Sequence, residues 1–268
     1  MIVTTKQLIN KKSSCAGDIL VVRHPMNEFI YSRNAVYEAL AAEKRSPVKL
    51  YLSETAQEKG ALARILQLCQ QKKVPIEKVN KQRLEKYSHQ HQGVVLETKP
   101  YPLADLLDIL NLAEARHEPL FVLLLDSMQD PVNFGSLIRT AEAVGVHGVV
   151  IPLAHAVEVT PAVVNASSGA TEHLLIAREN LSRTIDILKE NGAWIVGLDE
   201  DDRSKLPGEV DLSGPIGIVV GSEGEGIRQL VRGKCDYLLR LPMKGKVGSL
   251  NASVAGSTVL YLTLLSRK

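Results

Sequence analysis

Five polar side chains fall into patterns that can do chemistry: Asn133 with Arg139, then Glu223, then Ser249 with Asn251. They occupy three segments. The first, Asp130-Pro131-Val132-Asn133-Phe134-Gly135-Ser136-Leu137-Ile138-Arg139-Thr140, follows the apolar run Leu123-Leu124-Leu125. Asn133 is expected to cap a helix, because a short carboxamide accepts well from the free N–H groups of a first turn. Gly135 lets another chain approach closely. Arg139 then lies well inside the helix, where a planar guanidinium can hold a phosphate or a ribose edge. A solvated helix face would carry an arginine equally well.

The second segment is Gly221-Ser222-Glu223-Gly224-Glu225-Gly226-Ile227, between an expected strand and an expected helix. Strand, glycine-rich loop and helix invite a nucleotide reading. The order G-x-x-G-x-G departs from the dinucleotide fingerprint, and no Walker sequence occurs. Two acids in the loop would repel a triphosphate. A cationic cofactor suits it better, and the sulfonium of S-adenosylmethionine is one. A tight turn that needs glycine only for its geometry is the alternative.

The third segment runs Leu241-Pro242-Met243-Lys244-Gly245-Lys246-Val247-Gly248-Ser249-Leu250-Asn251-Ala252-Ser253. It reads as a strand end, a basic loop and the start of a last helix. Ser249 is expected to cap that helix. Leu241, Met243 and Leu250 can wall an adenine while the backbone reads its edge. Lys244 and Lys246 can meet phosphates, as can any solvated basic loop.

These segments must be positioned by regular elements. Apolar residues recur at helical spacing over Ala35–Leu40 and Leu62–Cys69. Short strands are expected at Val48–Leu52, Val74–Ile76 and Gly93–Leu96. Residues 28–98 thus form a small α/β unit after an irregular arm, 1–27. Lys99-Pro100-Tyr101-Pro102 is a stiff linker leading into a helix over Ala104–Ala113, so 99–117 connects two domains. Over 118–268, strands are expected at Leu120–Leu125, Gly148–Ile151, His173–Ile176, Ala193–Leu198, Ile216–Val220 and Tyr237–Leu241. Helices are expected at Gly135–Val144, Leu181–Glu190 and Gly226–Arg232. That alternation implies a mostly parallel sheet covered on both faces, with sites at the carboxyl ends of its strands.

Composition bounds the function. Hydrophobic residues make up 45% and charged residues 23%, ordinary for a globular chain. Aromatics are 4%, which argues against a base-stacking surface built on many rings. The net charge is +2, but residues 1–100 hold 17 Lys/Arg against 9 Asp/Glu, and the rest hold 15 against 21. A basic front suggests a polyanionic partner, though a lysine-rich solvated surface reads the same.

Cys15, Cys69 and Cys235 form no C-x-x-C pair, which argues against a disulfide framework or a thiolate zinc site and fits a reducing, cytoplasmic setting. No apolar h-region marks a signal peptide, while an organelle-targeting reading of 1–25 stays open. The apolar run Val254–Leu265 is too short to span a bilayer and reads as a buried or interface helix, so no membrane is expected. His89 and His91 form an H-x-H pair with no further ligands at useful spacing, so no metal is expected.

In order and spacing, the three segments resemble motifs 1, 2 and 3 of the SpoU family (TrmH-type) within the SPOUT methyltransferases. Ser168-Gly169-Ala170-Thr171-Glu172 resembles a further signature between the first two. The front, with Asn34-Ala35-Val36-Tyr37-Glu38-Ala39-Leu40 and His91-Gln92-Gly93-Val94-Val95, resembles that family's L30e-like RNA substrate-binding domain. Ser32-Arg33-Asn34 departs from a glycine-led turn common there, which puts the docking of the front domain in question.

The resemblance implies a deep trefoil knot at the carboxyl end, S-adenosylmethionine bound bent within it, and a homodimer through the last helix. It implies methylation of a ribose 2′-hydroxyl of RNA, with a guanosine of large-subunit (23S-type) rRNA as the expected target. A tRNA or antibiotic-resistance rRNA methyltransferase, or a non-catalytic RNA-binding or ribosome-assembly protein on the same fold, are the alternatives. By the same resemblance, Gly221, Ser222, Glu223, Leu241, Met243, Ser249 and Leu250 meet the cofactor. Arg139 acts at the ribose and its 3′-phosphate, with Asn133, Ser249 and Asn251 orienting the ribose and Arg139, and Glu223 supporting either the loop or Arg139.

Overall fold

A computed structural model describes residues 27–154, 158–201, 204–246 and 248–267. The arm expected over 1–27 lies outside them except for Asn27, as do His155 and Val247.

The front unit contains β1 (Glu28–Tyr31), α1 (Arg33–Ala41), β2 (Pro47–Ser53), α2 (Ala61–Gln71), β3 (Ile76–Val79), α3 (Lys81–Glu85) and β4 (Val94–Thr98). Its sheet order is β1-β4-β2-β3, antiparallel except for the β2–β3 pair. Alternation along the strands sends Ile30, Leu50, Leu52 and Leu96 under α1 and α2, and Tyr51, Val79 and Val95 to the other face with Leu84 of α3. The third strand begins later than its apolar residues suggest. The Val74 N–H closes the end of α2 on Cys69 O and is spent there, so pairing starts at Ile76.

The second unit contains α4 (Leu106–Arg116), β5 (Phe121–Leu125), α5 (Pro131–Ala143), β6 (Gly148–Pro152), α6 (Pro161–Ala166), β7 (Leu175–Glu179), α7 (Leu181–Glu190), β8 (Trp194–Leu198), β9 (Ile216–Val220), α8 (Gln229–Arg232), β10 (Tyr237–Leu239) and α9 (Ala252–Ser266). Its six strands run in the order β10-β8-β9-β5-β6-β7, and every pairing is parallel. Both faces are covered. Val122 and Leu124 pack toward α4 and α7, while Phe121, Leu123 and Leu125 pack toward α5, α6 and α9. A five-residue strand with no exposed position is what a sandwiched parallel sheet requires.

Several expected boundaries need correction. Helix α5 begins at Pro131 rather than Gly135, and β10 ends at Leu239 rather than Leu241. Only Gln229–Arg232 is helical in the stretch expected from Gly226, because Gly226 closes a turn on Ser222 and the Arg228 N–H is taken by Asp126. His173 belongs to a 3₁₀ turn, Ala170–His173, so β7 starts two residues later. The helix in the expected connector, α4, packs as part of the large sheet's cover.

Candidate active site

The site forms where β5, β8, β9 and β10 end, since parallel strands deliver all their following loops to one edge. Asp126 leaves β5 with its carboxylate fully buried. It accepts from the Arg228 backbone N–H at 2.8 Å and Nε at 2.7 Å. A buried charge persists only when paired and hydrogen-bonded, so this contact pins the far end of the glycine loop to the end of β5.

Helix α5 starts at Pro131 and is capped by Asp130, which accepts from Val132 N and Asn133 N. The expected cap, Asn133, is therefore one turn inside. Pro131 at the first helical position has no N–H to cap, so the helix is already running when the chain reaches Asn133. Its side chain is freed for other work and is nearly buried.

The glycine loop bends back on itself. Ser222 N donates to Gly226 O and Gly226 N to Ser222 O, both at 3.1 Å. A Cβ on Gly221 would stand 2.2–2.4 Å from the Gly226 carbonyl and Ile227 nitrogen, so only glycine allows this closure. Gly224 and Gly226 take φ of 89° and 67°, the left-handed region that glycine enters freely.

The last helix is capped by Asn251 rather than by Ser249. Asn251 Oδ1 accepts from Ser253 N at 3.0 Å and Val254 N at 3.2 Å. Its Nδ2 donates to Asn133 Oδ1 at 2.9 Å and also to Glu223 Oε1. One carboxamide thus stitches all three segments together. Ser249 lies two residues too early to reach the first turn and is exposed.

Two adjoining cavities result. The larger, about 540 Å³, is lined by Leu198, Val220, Gly221, Leu241, Ser249 and Leu250, with Asp199, Glu200, Glu223 and Glu225 around them. Its size suits a cofactor-sized molecule. Aliphatic walls suit an adenine. Asp199 is paired with Arg232 and Arg240 also lines the cavity, but Glu200, Glu223 and Glu225 leave a carboxylate-rich rim that suits a cation, so the donor set fits S-adenosylmethionine. The smaller, about 330 Å³, is polar and includes Ser127, Asp130 and Asn133. Ser222, Glu223, Glu225 and Ala252 line both cavities.

The structure brings Gly221, Ser222, Glu223, Leu241, Ser249, Leu250 and Asn251 to the larger cavity, and Asn133 to the smaller. Met243, Lys244 and Lys246 are exposed and line neither. Arg139 is not in the cluster. Six residues past Asn133 on an α-helix is about 9 Å along the axis and about 120° around it. The exposed guanidinium donates to Ser168 Oγ at 3.3 Å. Sequence reasoning did not find Asp126, Arg228, Asp199 or Glu200. The available signal was an acid directly after the ends of β5 and β8, where the strands deliver their loops.

Among the described residues, neither free cysteine offers a nucleophile. Burial pushes the Cys69 thiol up to about 11 and the Cys235 thiol to about 12, so neither is a thiolate at neutral pH. Burial pulls His91 and His147 down, and each accepts a backbone N–H through Nδ1, from Gly93 and Phe121 respectively. Both are structural.

Residues 120–261 match the model of the SpoU rRNA Methylase family, and residues 29–104 match that of the RNA 2′-O ribose methyltransferase substrate-binding domain. YacO of Bacillus subtilis, assigned to the TrmH family of tRNA/rRNA methyltransferases, is 42% identical over 237 residues, covering 88% of this chain and 94% of its own. Among solved structures, the SpoU methyltransferase AviRb of Streptomyces viridochromogenes, in complex with AdoMet, superposes with a TM-score of 0.75 at 23% identity, covering 90% of each chain. An AdoMet-bound rRNA methyltransferase of Sinorhizobium meliloti superposes with a TM-score of 0.72 at 21% identity, covering 88% of this chain and 86% of its own.

Proposed function

The chain belongs to the SpoU rRNA Methylase family and is an S-adenosylmethionine-dependent RNA ribose 2′-O-methyltransferase, and from that premise we propose that its target is a guanosine of large-subunit ribosomal RNA. The observation that carries the reading is the pair of cavities joined at Glu223, one fit for a cationic cofactor and one polar enough for a sugar. The front domain supports an rRNA target, since a small separate RNA-binding unit suits a site embedded in a large folded RNA.

When bound, S-adenosylmethionine supplies an electrophilic methyl group on a good leaving group. The chain's own residues supply the rest. Leu241 and Leu250 exclude water around the apolar part of the larger cavity. Glu223 and Glu225 face it with negative charge. Asn133, held by Asn251, presents a neutral amide to the ribose and fixes it without adding a charge that would compete for the methyl donor. Arg139 holds the 3′-phosphate and lowers the pKa of the 2′-hydroxyl. A guanidinium carries donors and no acceptor, so it binds and polarises rather than accepts the proton.

The reading includes a homodimer through α9. Val254, Tyr261 and Leu265 are about half exposed on that helix and flank an apolar groove of about 460 Å³ that also reaches Ser136 of α5. Arg139 lies one turn beyond Ser136 on the exposed side of α5, which makes it available to a cavity across such an interface. The trefoil threading belongs to the same reading. Segments 221–226, 239–241 and 249–255 wrap one cavity, and a threaded connection is a way to bring them there.

The test is tritium transfer from labelled S-adenosylmethionine to total RNA from cells lacking the protein, followed by mapping of 2′-O-methyl positions. Label in one large-subunit rRNA guanosine is the expected result. Label in tRNA overturns the target. Cofactor binding without transfer to any RNA points instead to an RNA-binding role.

A further inference from the structure

The signature Ser168-Gly169-Ala170-Thr171-Glu172 touches neither cavity. It lies between the helix that carries Arg139 and the front domain. On one side, the turn after α6 is pressed against α5. A Cβ on Gly135 would meet Ala166 Cβ at 2.5 Å and Ser167 N at 2.8 Å, so the two helices touch backbone to backbone. On the other side, a Cβ on Gly169 would meet Glu38 Cβ of α1 at 2.5 Å. Asn165 Nδ2 donates to Gln90 Oε1 at 3.0 Å, and His173 Nε2 pairs with Glu38 Oε2 at 2.8 Å. The turn is therefore wedged between the two domains with little freedom to shift against either.

Ser168 occupies this wedge at φ 55°, a conformation that L side chains enter rarely. Glycine would hold it without strain. What serine adds there is a hydroxyl, and that hydroxyl accepts from Arg139 Nη1.

We propose that Ser168 is a positioning residue for Arg139, and that its turn sets the guanidinium in register with the RNA-binding front domain. The proposal rests on the reading that Arg139 meets the RNA. A long, exposed arginine sweeps a large volume when free, and a single fixed acceptor limits that sweep. Because the acceptor is mounted on a turn clamped to α1 and to Gln90, the position of Arg139 follows the domain that binds the substrate.

Ser168→Gly separates positioning from folding. It removes the acceptor while relieving the backbone, so the Tm is expected to hold or rise and the affinity for S-adenosylmethionine, measured by calorimetry, to stay unchanged. With total RNA from cells lacking the protein as the substrate, kcat/KM is expected to fall about three- to tenfold, the scale of one long, solvent-exposed hydrogen bond. Ser168→Asn, which tolerates the left-handed region and restores an acceptor, is expected to recover most of the rate. In an Arg139→Ala background, Ser168→Gly is expected to have no further effect.

Full activity of Ser168→Gly, or effects of the two substitutions that multiply, would overturn the role given to Ser168. Full activity of Arg139→Ala would instead overturn the reading on which it rests, and the two failures are read from separate variants.

Discussion

Asn251 combines a structural and a functional task, and the two can be pulled apart. Its Oδ1 caps α9, while its Nδ2 ties Asn133 to Glu223. Asn251→Ala loses both. The cap is worth about 1 kcal/mol. Each lost donor bond is worth about 0.5–1.5 kcal/mol, and the exposure of Glu223 keeps its share low. The sum is about 2–3 kcal/mol, or a fall in Tm of about 5–10 °C for a chain this size.

Asn251→Asp behaves differently. Aspartate caps as well as asparagine does, and it suits the positive end of a helix. It cannot donate, however, and it places a second carboxylate against Glu223. Two charges about 3 Å apart at an effective dielectric near 20 repel by about 5 kcal/mol if nothing moves. Glu223 is free to swing toward solvent, so stability survives while the link between the cavities is broken. The expectation is a Tm within about 3 °C of wild type. Methyl transfer at pH 8 should fall at least about tenfold, the effect of about 1.4 kcal/mol.

The variant also acquires a pH signature. Two carboxylates sharing a site raise one of their pKa values, and the protonated partner is again a donor. The ratio of variant to wild-type activity should therefore climb as pH falls from 8 toward 5. Tritium transfer and thermal melts across that range are the assay. A fully active Asn251→Asp at pH 8, or a ratio flat with pH, would refute the claim that this amide stitches the site.

Three further outcomes are expected. Glu172→Gln should cost about 3 kcal/mol in urea unfolding, because it strips the charge from a fully buried partner of Arg45, which then keeps Glu28 as its carboxylate among the described residues; a loss below about 1 kcal/mol would show that the pair is dispensable. Gly221→Ala should weaken S-adenosylmethionine binding by calorimetry at least about tenfold and destabilise by about 1–3 kcal/mol, since the new Cβ collides with backbone rather than with a mobile side chain. Burial lowers Lys44, hydrogen-bonded to Tyr101 and Leu174 O, to about 8. From there to its ordinary 10.5 the unfolded chain holds the proton and the folded chain does not, so this residue's contribution to stability should rise with pH across that window. Unfolding of wild type against Lys44→Met between pH 7 and 9.5 checks the slope, and a difference constant with pH would contradict it.

The sequence by itself determined the period of each element and therefore the layering. Uninterrupted apolar strands such as Phe121–Leu125 and Ile216–Val220 can only be central in a parallel sheet, and the glycines of 221–226 dictate a closed loop whatever surrounds them. It also placed Asn133, Glu223 and Asn251 at the carboxyl ends of strands, where chemistry was expected. One cap is local and one is not. Asp130 directly precedes Pro131, which starts its helix, whereas Ser249 and Asn251 are both competent and it is Asn251, the one that also meets Asn133 and Glu223, that caps the last helix.

The tertiary structure alone decided which polar groups meet. The contact of Asn251 with Asn133 spans 118 residues, that of Arg228 with Asp126 spans 102, and that of Arg45 with Glu172 spans 127. No local pattern encodes such distances. The same holds for Arg139, which shares a helix with Asn133 and yet faces Ser168. A helix fixes spacing and angle, but only the packing around it decides what each face will touch.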